Sequence, residues 1–337
     1  MRLIMKKTRI VSILLLFVLI CGMLTSCNSL KPTEQDLKVV GTVGEYEVTY
    51  DSLRYFVINY KNTLGDKYKN AESDPTVKAA LEADILDYLK TTVTRNYAIM
   101  ELCNFYKLDI NEEAILKKLE KEIDSTIVQC GGKGDYKKAL EAEFMTDRFF
   151  REYMQLNIAL SELTYILADD LGEIPGTEEE IMDFLMSDEF IHTRHICIYK
   201  DGADDEAKKQ KLEMVLEKLN NKEDDFESLI GRYSEDYQDT GKGYYFTKGE
   251  FDIIYEEASF ALSEEEYSEI IETSYAYYII KRYAKDDTDK EHFKKNFASF
   301  TQQIQYALTY NKVFEQQETM TFELNDYGKS LVLSDIK

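Results

Sequence analysis

The sequence predicts an α+β protein, a mainly helical chain interrupted by one compact unit of short strands and helices. Three observations carry this expectation. Residues Phe190 to Tyr199 and Tyr275 to Tyr283 are rich in β-branched and aromatic residues and read as strands. Between them the apolar period becomes helical, with Leu212, Val215, Leu216 and Leu219, then Phe226, Leu229, Ile230 and Tyr233, at i, i+3, i+4, i+7. Helical patterns fill both flanks, and the last one, from about Glu291 to Glu318, cannot bury Phe293, Phe297, Phe300, Ile304, Leu308 and Val313 alone, so it must pack back on earlier helices.

The chain opens with Arg2, Lys6, Lys7 and Arg9, the apolar run Ile10 to Cys21, and no acid before Cys27. This pattern is a secretory signal peptide over residues 1–26, too short for an ordinary spanning helix. It ends in Leu24-Thr25-Ser26-Cys27, which resembles a bacterial lipobox, so cleavage leaves Cys27 as a lipid-modified N-terminus. A plain signal peptide with a chance Cys is the weaker alternative. Residues 27–37 then form the lipidated Cys and a polar tether. With a mean hydropathy of −0.41 and no later spanning stretch, the rest is expected to be water-soluble, held at a membrane by its lipid.

Losing the four basic residues of the signal leaves 37 Lys and Arg against 64 Asp and Glu, a net charge of −27. Nucleic acid is excluded as a partner on this balance. Runs such as Glu178-Glu179-Glu180 read as solvated helix faces. Beyond Cys27, only Cys103, Cys130 and Cys197 remain, with no metal-ligand spacing, and His192, His195 and His292 are the only histidines. No metal or other cofactor is expected.

Residues 38–186 form the first folded region. Val39 to Val43 and Tyr46 to Thr49 flank Gly44-Glu45 as a hairpin, leading into a helix with Leu53, Phe56, Val57 and Tyr60. Long helices follow over Val77 to Tyr106, Asn111 to Gln129 and Tyr136 to Asp169, with Asn111 and Thr177 as N-cap candidates. The unit 187–285 adds, after its two helices, a strand at Tyr244 to Phe246, a helix at Ile254 to Leu262 and an edge strand at Ser268 to Glu272. Residues 286–337 hold the C-terminal helix and a tail with a short strand at Ser330 to Leu333.

Within 187–285 the motifs resemble the parvulin family of peptidylprolyl isomerases. Thr193-Arg194-His195-Ile196 is similar to that family's opening strand, Tyr233-Ser234-Glu235-Asp236 to its active-site loop, and Lys248-Gly249-Glu250-Phe251 to its Arg-Gly-Gln-Met turn. Tyr255 to Leu262 resembles its Phe-Glu-x-Ala-x-Phe-x-Leu helix, and Ala276-Tyr277-Tyr278-Ile279-Ile280 its closing strand. The hairpin and long helices ahead, with Tyr106 to Glu113 at a helix junction, resemble the helical chaperone region of the SurA/PrsA group of exported foldases. The resemblance implies a split helical domain with an inserted parvulin unit built on a small antiparallel sheet.

It also implies site residues. His195, Asp236 and Tyr278 occupy the catalytic positions, and Phe251, Tyr255 and Phe260 stand where the family builds its proline pocket. Tyr278 replaces the family's second His, and a phenol there can still hydrogen-bond the imidazole and fix its tautomer. His195 shares its strand face with Thr193 and Cys197. Two functions follow: a peptidylprolyl isomerase acting on exported polypeptides with X-Pro bonds, or a holdase chaperone whose parvulin unit only binds peptide. A homodimer stays an open alternative. A solute-binding fold is excluded by the absence of βαβ alternation.

Overall fold

The computed structural model describes residues 31–64, 68, 70–200, 202, 204–239 and 241–337. The signal segment 1–26 and Cys27 lie outside the described residues. Among the described residues no helix is long and apolar enough to cross a membrane. The chain forms two compact units, one of residues up to Leu163 together with Val313–Lys337, the other Thr164–Lys312.

In the first unit β1 (Val39–Val43) and β2 (Tyr46–Thr49) pair antiparallel, and α1 (Tyr50–Thr63) follows without a loop. A strand far along the chain, β7 (Phe322–Leu324), pairs with the other edge of β1. Gly41 allows that approach, because a Cβ there would sit 2.4 Å from the Glu323 carbonyl oxygen. The tail strand therefore lies at 322–324 and not at Ser330 to Leu333; Leu333 instead starts a 3₁₀ turn (Leu333–Asp335) and plugs the core of Val40, Val43, Leu53, Val57, Ile85, Leu89 and Phe149.

Helices α2 (Pro75–Phe105) and α3 (Glu113–Gln129) match the sequence pattern. Asp74 caps α2 by accepting the Thr76 and Val77 N–H groups, and Pro75 takes the first helical position, where no donor is needed. Asn111 is not the cap of α3; Glu112 occupies that place without a side-chain bond. The single helix expected from Tyr136 to Asp169 is two, α4 (Lys133–Ala142) and α5 (Asp147–Tyr165), continued by a π-helical turn (Ile166–Asp170). The break has a cause. Phe144 adopts φ 57, Met145 N–H closes back on Leu140, and the Thr146 hydroxyl caps Phe149 N–H at 3.0 Å while donating to Asp51 at 2.6 Å. The restart brings Arg148 to the fully buried Asp51 at 2.5 Å, a pair that one straight helix would miss.

The second unit takes in that π-helical turn and continues with α6 (Glu178–Met186), which carries a capping box: Thr177 accepts Glu180 N–H, and Glu180 accepts Thr177 N–H at 2.9 Å. Thr177→Ala should lower stability by about 1 kcal/mol, read as a lower denaturant midpoint. Then come β3 (Ile191–Tyr199), α7 (Asp205–Asn220), α8 (Phe226–Tyr233), β4 (Tyr244–Phe246), α9 (Ile253–Ala261), β5 (Ile271–Glu272) and β6 (Ala276–Tyr283). They make an antiparallel sheet in the order β4-β3-β6-β5. Its two faces separate by residue parity: Ile196, Ile198, Tyr277 and Ile279 pack on α7 and α8, whereas Cys197, Tyr278 and Ile280 face Tyr255 of α9 and Phe246. The C-terminal helix starts earlier than expected and is broken: α10 (Asp287–Lys295) has a capping box between Asp286 and Asp289, and α11 (Phe297–Glu318) resumes after Asn296.

Candidate functional site

The face of the sheet that meets α9 gathers every residue the sequence nominated except Cys27. His195 sits in the middle of β3, opposite Ile280 of β6, and is 5 % exposed. Its Nε2 lies 3.0 Å from Asp236 Oδ2 and its Nδ1 2.9 Å from the Tyr255 hydroxyl. Asp236 is reached because the chain leaving α8 is tied to β3: Ser234 Oγ accepts Cys197 N–H at 3.1 Å, and Glu235 N–H donates to the Cys197 carbonyl at 2.8 Å.

The partners assign the protons. Hydrogen bonds from His195 and the Tyr244 hydroxyl, with Gln238 N–H at 2.9 Å, hold the Asp236 carboxyl well below the usual carboxylate range. An ionised Asp236 accepts from His195 Nε2–H, which leaves Nδ1 as an acceptor for the Tyr255 O–H. The Thr193 hydroxyl, 3.1 Å from Tyr255 Oη, completes the chain from behind. Burial keeps the Tyr255 and Tyr244 phenols protonated, well above the ordinary tyrosine range, so both are available as donors. Around the imidazole stand three rings: Tyr244 stacked at 5.2 Å, Tyr278 edge-on at 5.1 Å and Tyr255 edge-on at 5.6 Å.

Tyr278 does not hydrogen-bond His195. It lies opposite Cys197 in the ladder, with its ring edge-on to Tyr275 at 6.3 Å. Burial pushes the Cys197 thiol up to about 12. Tyr255 also differs from its expected place. It is 2 % exposed, so its ring is a floor and not an open pocket wall. Phe251 and Phe260 are half-buried, and Phe246 joins them: Phe251 lies 4.5 Å from Phe246, 5.3 Å from Tyr255 and 5.7 Å from Tyr244, and Phe260 5.8 Å from Phe246. The product is a partly open aromatic surface over a hydrogen-bonded floor.

Sequence reading missed Tyr244 and Glu256. Tyr244 enters β4 through Gly243 at φ +70, where a Cβ would sit 2.4 Å from the Thr193 carbonyl oxygen; that glycine was the available signal. Glu256, 3 % exposed, accepts three backbone N–H groups of the turn carrying Phe251: Gly249 at 2.9 Å, and Glu250 and Phe251 at 2.7 Å each. Its sequence signal was its place as the Glu of the motif-like helix Tyr255 to Leu262.

Glu250 gives the turn a pH dependence. Burial, with Glu256 nearby, pushes its carboxyl up to about 7 from its ordinary value of 4.5. The folded state therefore holds a proton that the unfolded chain releases. This stability is complete below pH 4.5 and is lost as pH rises through about 7. Glu250→Gln should flatten that slope by about 3 kcal/mol in denaturant titrations across the window.

Residues 192–284 match the family model of the PPIC-type PPIASE domain. The chain is 27 % identical over 238 residues to the foldase protein PrsA of Staphylococcus aureus strain MRSA252, covering 68 % of this chain and 67 % of that protein, and equally to that of strain Newman. Among solved structures, PrsA of Bacillus anthracis is 20 % identical, with a TM-score of 0.33, covering 66 % of this chain and 94 % of that one. PrsA of Bacillus subtilis is 21 % identical, with a TM-score of 0.27, covering 84 % and 93 %.

Proposed function

Starting from a chain that is SurA/PrsA-like and carries a parvulin-type peptidylprolyl isomerase domain, we propose that it is a membrane-anchored extracytoplasmic foldase catalysing cis-trans isomerisation of X-Pro bonds in exported polypeptides. The anchor is the lipid on Cys27 after removal of residues 1–26. The helical regions 38–186 and 286–337 cradle the unfolded chain, and 187–285 acts on its prolines.

The supporting observation is the aromatic surface over the closed network of His195, Asp236 and Tyr255. Rotation about an X-Pro bond faces a barrier of roughly 18–20 kcal/mol and takes tens to hundreds of seconds uncatalysed. Lowering it needs no bond to be made. Phe251 and Phe260 grip the proline ring and exclude water from the amide, and tighter binding of the twisted amide than of either planar form supplies the rate gain.

In this reading His195 is not a proton shuttle. Both of its nitrogens are occupied by protein partners, and its role is a rigid wall beside the amide. The loss of the second family His is then made good locally. The Tyr255 hydroxyl, present where the family usually has Phe, supplies the Nδ1 partner that Tyr278 does not. Phe251→Ala is the direct test: cis-to-trans relaxation of a short X-Pro peptide should be accelerated by the wild-type chain and about tenfold less by the variant. Equal acceleration by both would place the activity elsewhere.

The holdase reading has one observation of its own. The first unit contains a cleft of about 220 Å³ lined by Phe56, Tyr97, Met100, Ile110, Phe149 and Leu156, with Arg148 and Glu152 at its polar side. Such a mixed surface suits an unfolded segment in either reading. It becomes the main site if the peptide assay is negative.

A further inference from the structure

We propose that Gln303 and Asn311 of α11, beyond the stretch matched by the family model, are positioning residues that hold the turn 247–251 and so set the place of Phe251. Both belong to the unit Thr164–Lys312. Eight residues separate them, about 12 Å along the helix and about 80° around it, so they present two anchors to one neighbour.

The contacts are specific. Gln303 Nε2 spends both of its hydrogens, donating to the Tyr245 carbonyl oxygen at 2.8 Å and to Glu250 Oε2 at 2.7 Å. Asn311 Nδ2 donates to the Lys248 carbonyl oxygen at 3.0 Å. Its Oδ1 stands so close to Gly249 that a Cβ there would lie 2.3 Å away, and Gly249 has φ +92. The turn thus packs directly on the Asn311 amide.

The remaining turn donors go to side chains as well. Thr247 N–H donates to Glu250 Oε1 at 2.7 Å, and the next three N–H groups that donate go to Glu256. Two carboxylates and two amides, not a ladder, therefore fix this turn. Without α11 the Tyr245 and Lys248 carbonyls lose their side-chain donors and the Glu250 carboxyl keeps only Thr247 N–H, so the turn is otherwise tied from the α9 side only. Phe251 follows the turn, its ring edge-on to Tyr244, tilted against Phe246 and stacked on Tyr255.

This inference rests on the reading of Phe251 as the proline seat, and its test separates the two. In the full chain, Gln303→Leu, Gln303→Lys and Asn311→Ala are compared with wild type by isomerase kinetics and by amide hydrogen exchange. The Leu and Ala variants should raise KM for the X-Pro peptide about tenfold with kcat little changed, and speed exchange at Gly249, Glu250 and Phe251 by at least as much. Amides of β3 and β6 keep wild-type protection, which excludes general unfolding. Gln303→Lys, whose ammonium can donate to the same two oxygens, should restore both readouts, which mere filling of space would not do. Unchanged exchange at 249–251 in the Leu and Ala variants would overturn the positioning role, whatever the kinetics. An inactive wild-type chain would sink the isomerase reading alone, and the exchange data would still decide the role of α11.

Discussion

Tyr255→Phe is expected to destabilise the protein by about 2 to 4 kcal/mol and to lower kcat/KM for an X-Pro peptide at least tenfold, although it deletes a single oxygen. The deletion leaves two buried groups without partners, His195 Nδ1 and the Thr193 hydroxyl, and each orphan costs about 1–3 kcal/mol. His195 is 5 % exposed and Thr193 fully buried, so water cannot replace the phenol. Tyr278→Phe is the matched control. Both His195 nitrogens bond to other residues, so loss of the Tyr278 hydroxyl should cost at most about 1 kcal/mol and retain most activity. The double change Tyr255→Phe with Tyr278→His, which rebuilds the residue pair usual in parvulins, should recover part of the loss. Denaturant midpoints and peptide kinetics on the four proteins check this. If Tyr278→Phe proves as damaging as Tyr255→Phe, the assignment of the Nδ1 partner is wrong.

Glu256→Ala should be costlier still for the site. One side chain satisfies the N–H groups of Gly249, Glu250 and Phe251, and its removal strands all three in a turn with no backbone partners for them. At about 1–3 kcal/mol for each stranded donor the sum reaches several kcal/mol, reduced by whatever water the opened turn admits. The expected readout is loss of isomerase activity with exchange protection lost at 249–251 and kept in β3 and β6. Glu256→Gln should fall between, because Oε1 still serves Glu250 and Phe251 while the new NH₂ faces the Gly249 donor. Wild-type kinetics in Glu256→Ala would mean that the turn does not position Phe251.

Much of this architecture was legible in the sequence, for physical reasons that differ by element. The change of period between Phe190 and Tyr283 located β3, α7, α8 and β6 because both faces of that sheet are packed, which ties apolar spacing to geometry. The break at Phe144 was not legible: Tyr136 to Asp169 keeps a helical pattern, and the Asp51–Arg148 pair that selects the break joins residues 97 apart. The Thr146-Asp147 cap and the Asp286-x-x-Asp289 box were present as signals and went unread. Strand β7 has three residues and gains its meaning only from β1, 279 residues earlier by the Val43–Phe322 pairing.

The site divides in the same way. That His195, Cys197 and Tyr278 share a face follows from strand parity and from the closing-strand resemblance. Which phenol reaches the imidazole depends on register and on the approach of α9, and neither is written in local sequence. Tyr255 was therefore placed in the pocket when it lies beneath it. Glu256 was visible only as the Glu of the motif-like helix Tyr255 to Leu262, and nothing nearby in sequence marks a turn folding over its end.

The central claim is that the aromatic surface over His195 is a working isomerase site despite Tyr278. The most direct measurement is the relaxation rate of an X-Pro peptide from cis to trans as the full chain is added, alongside aggregation of an unfolded client under the same conditions. A working site gives a rate that rises in proportion to protein and falls at least tenfold with Tyr255→Phe, while suppression of aggregation survives that substitution. Suppression without any acceleration by the wild-type chain would contradict it, and would move the protein's activity to the helical unit.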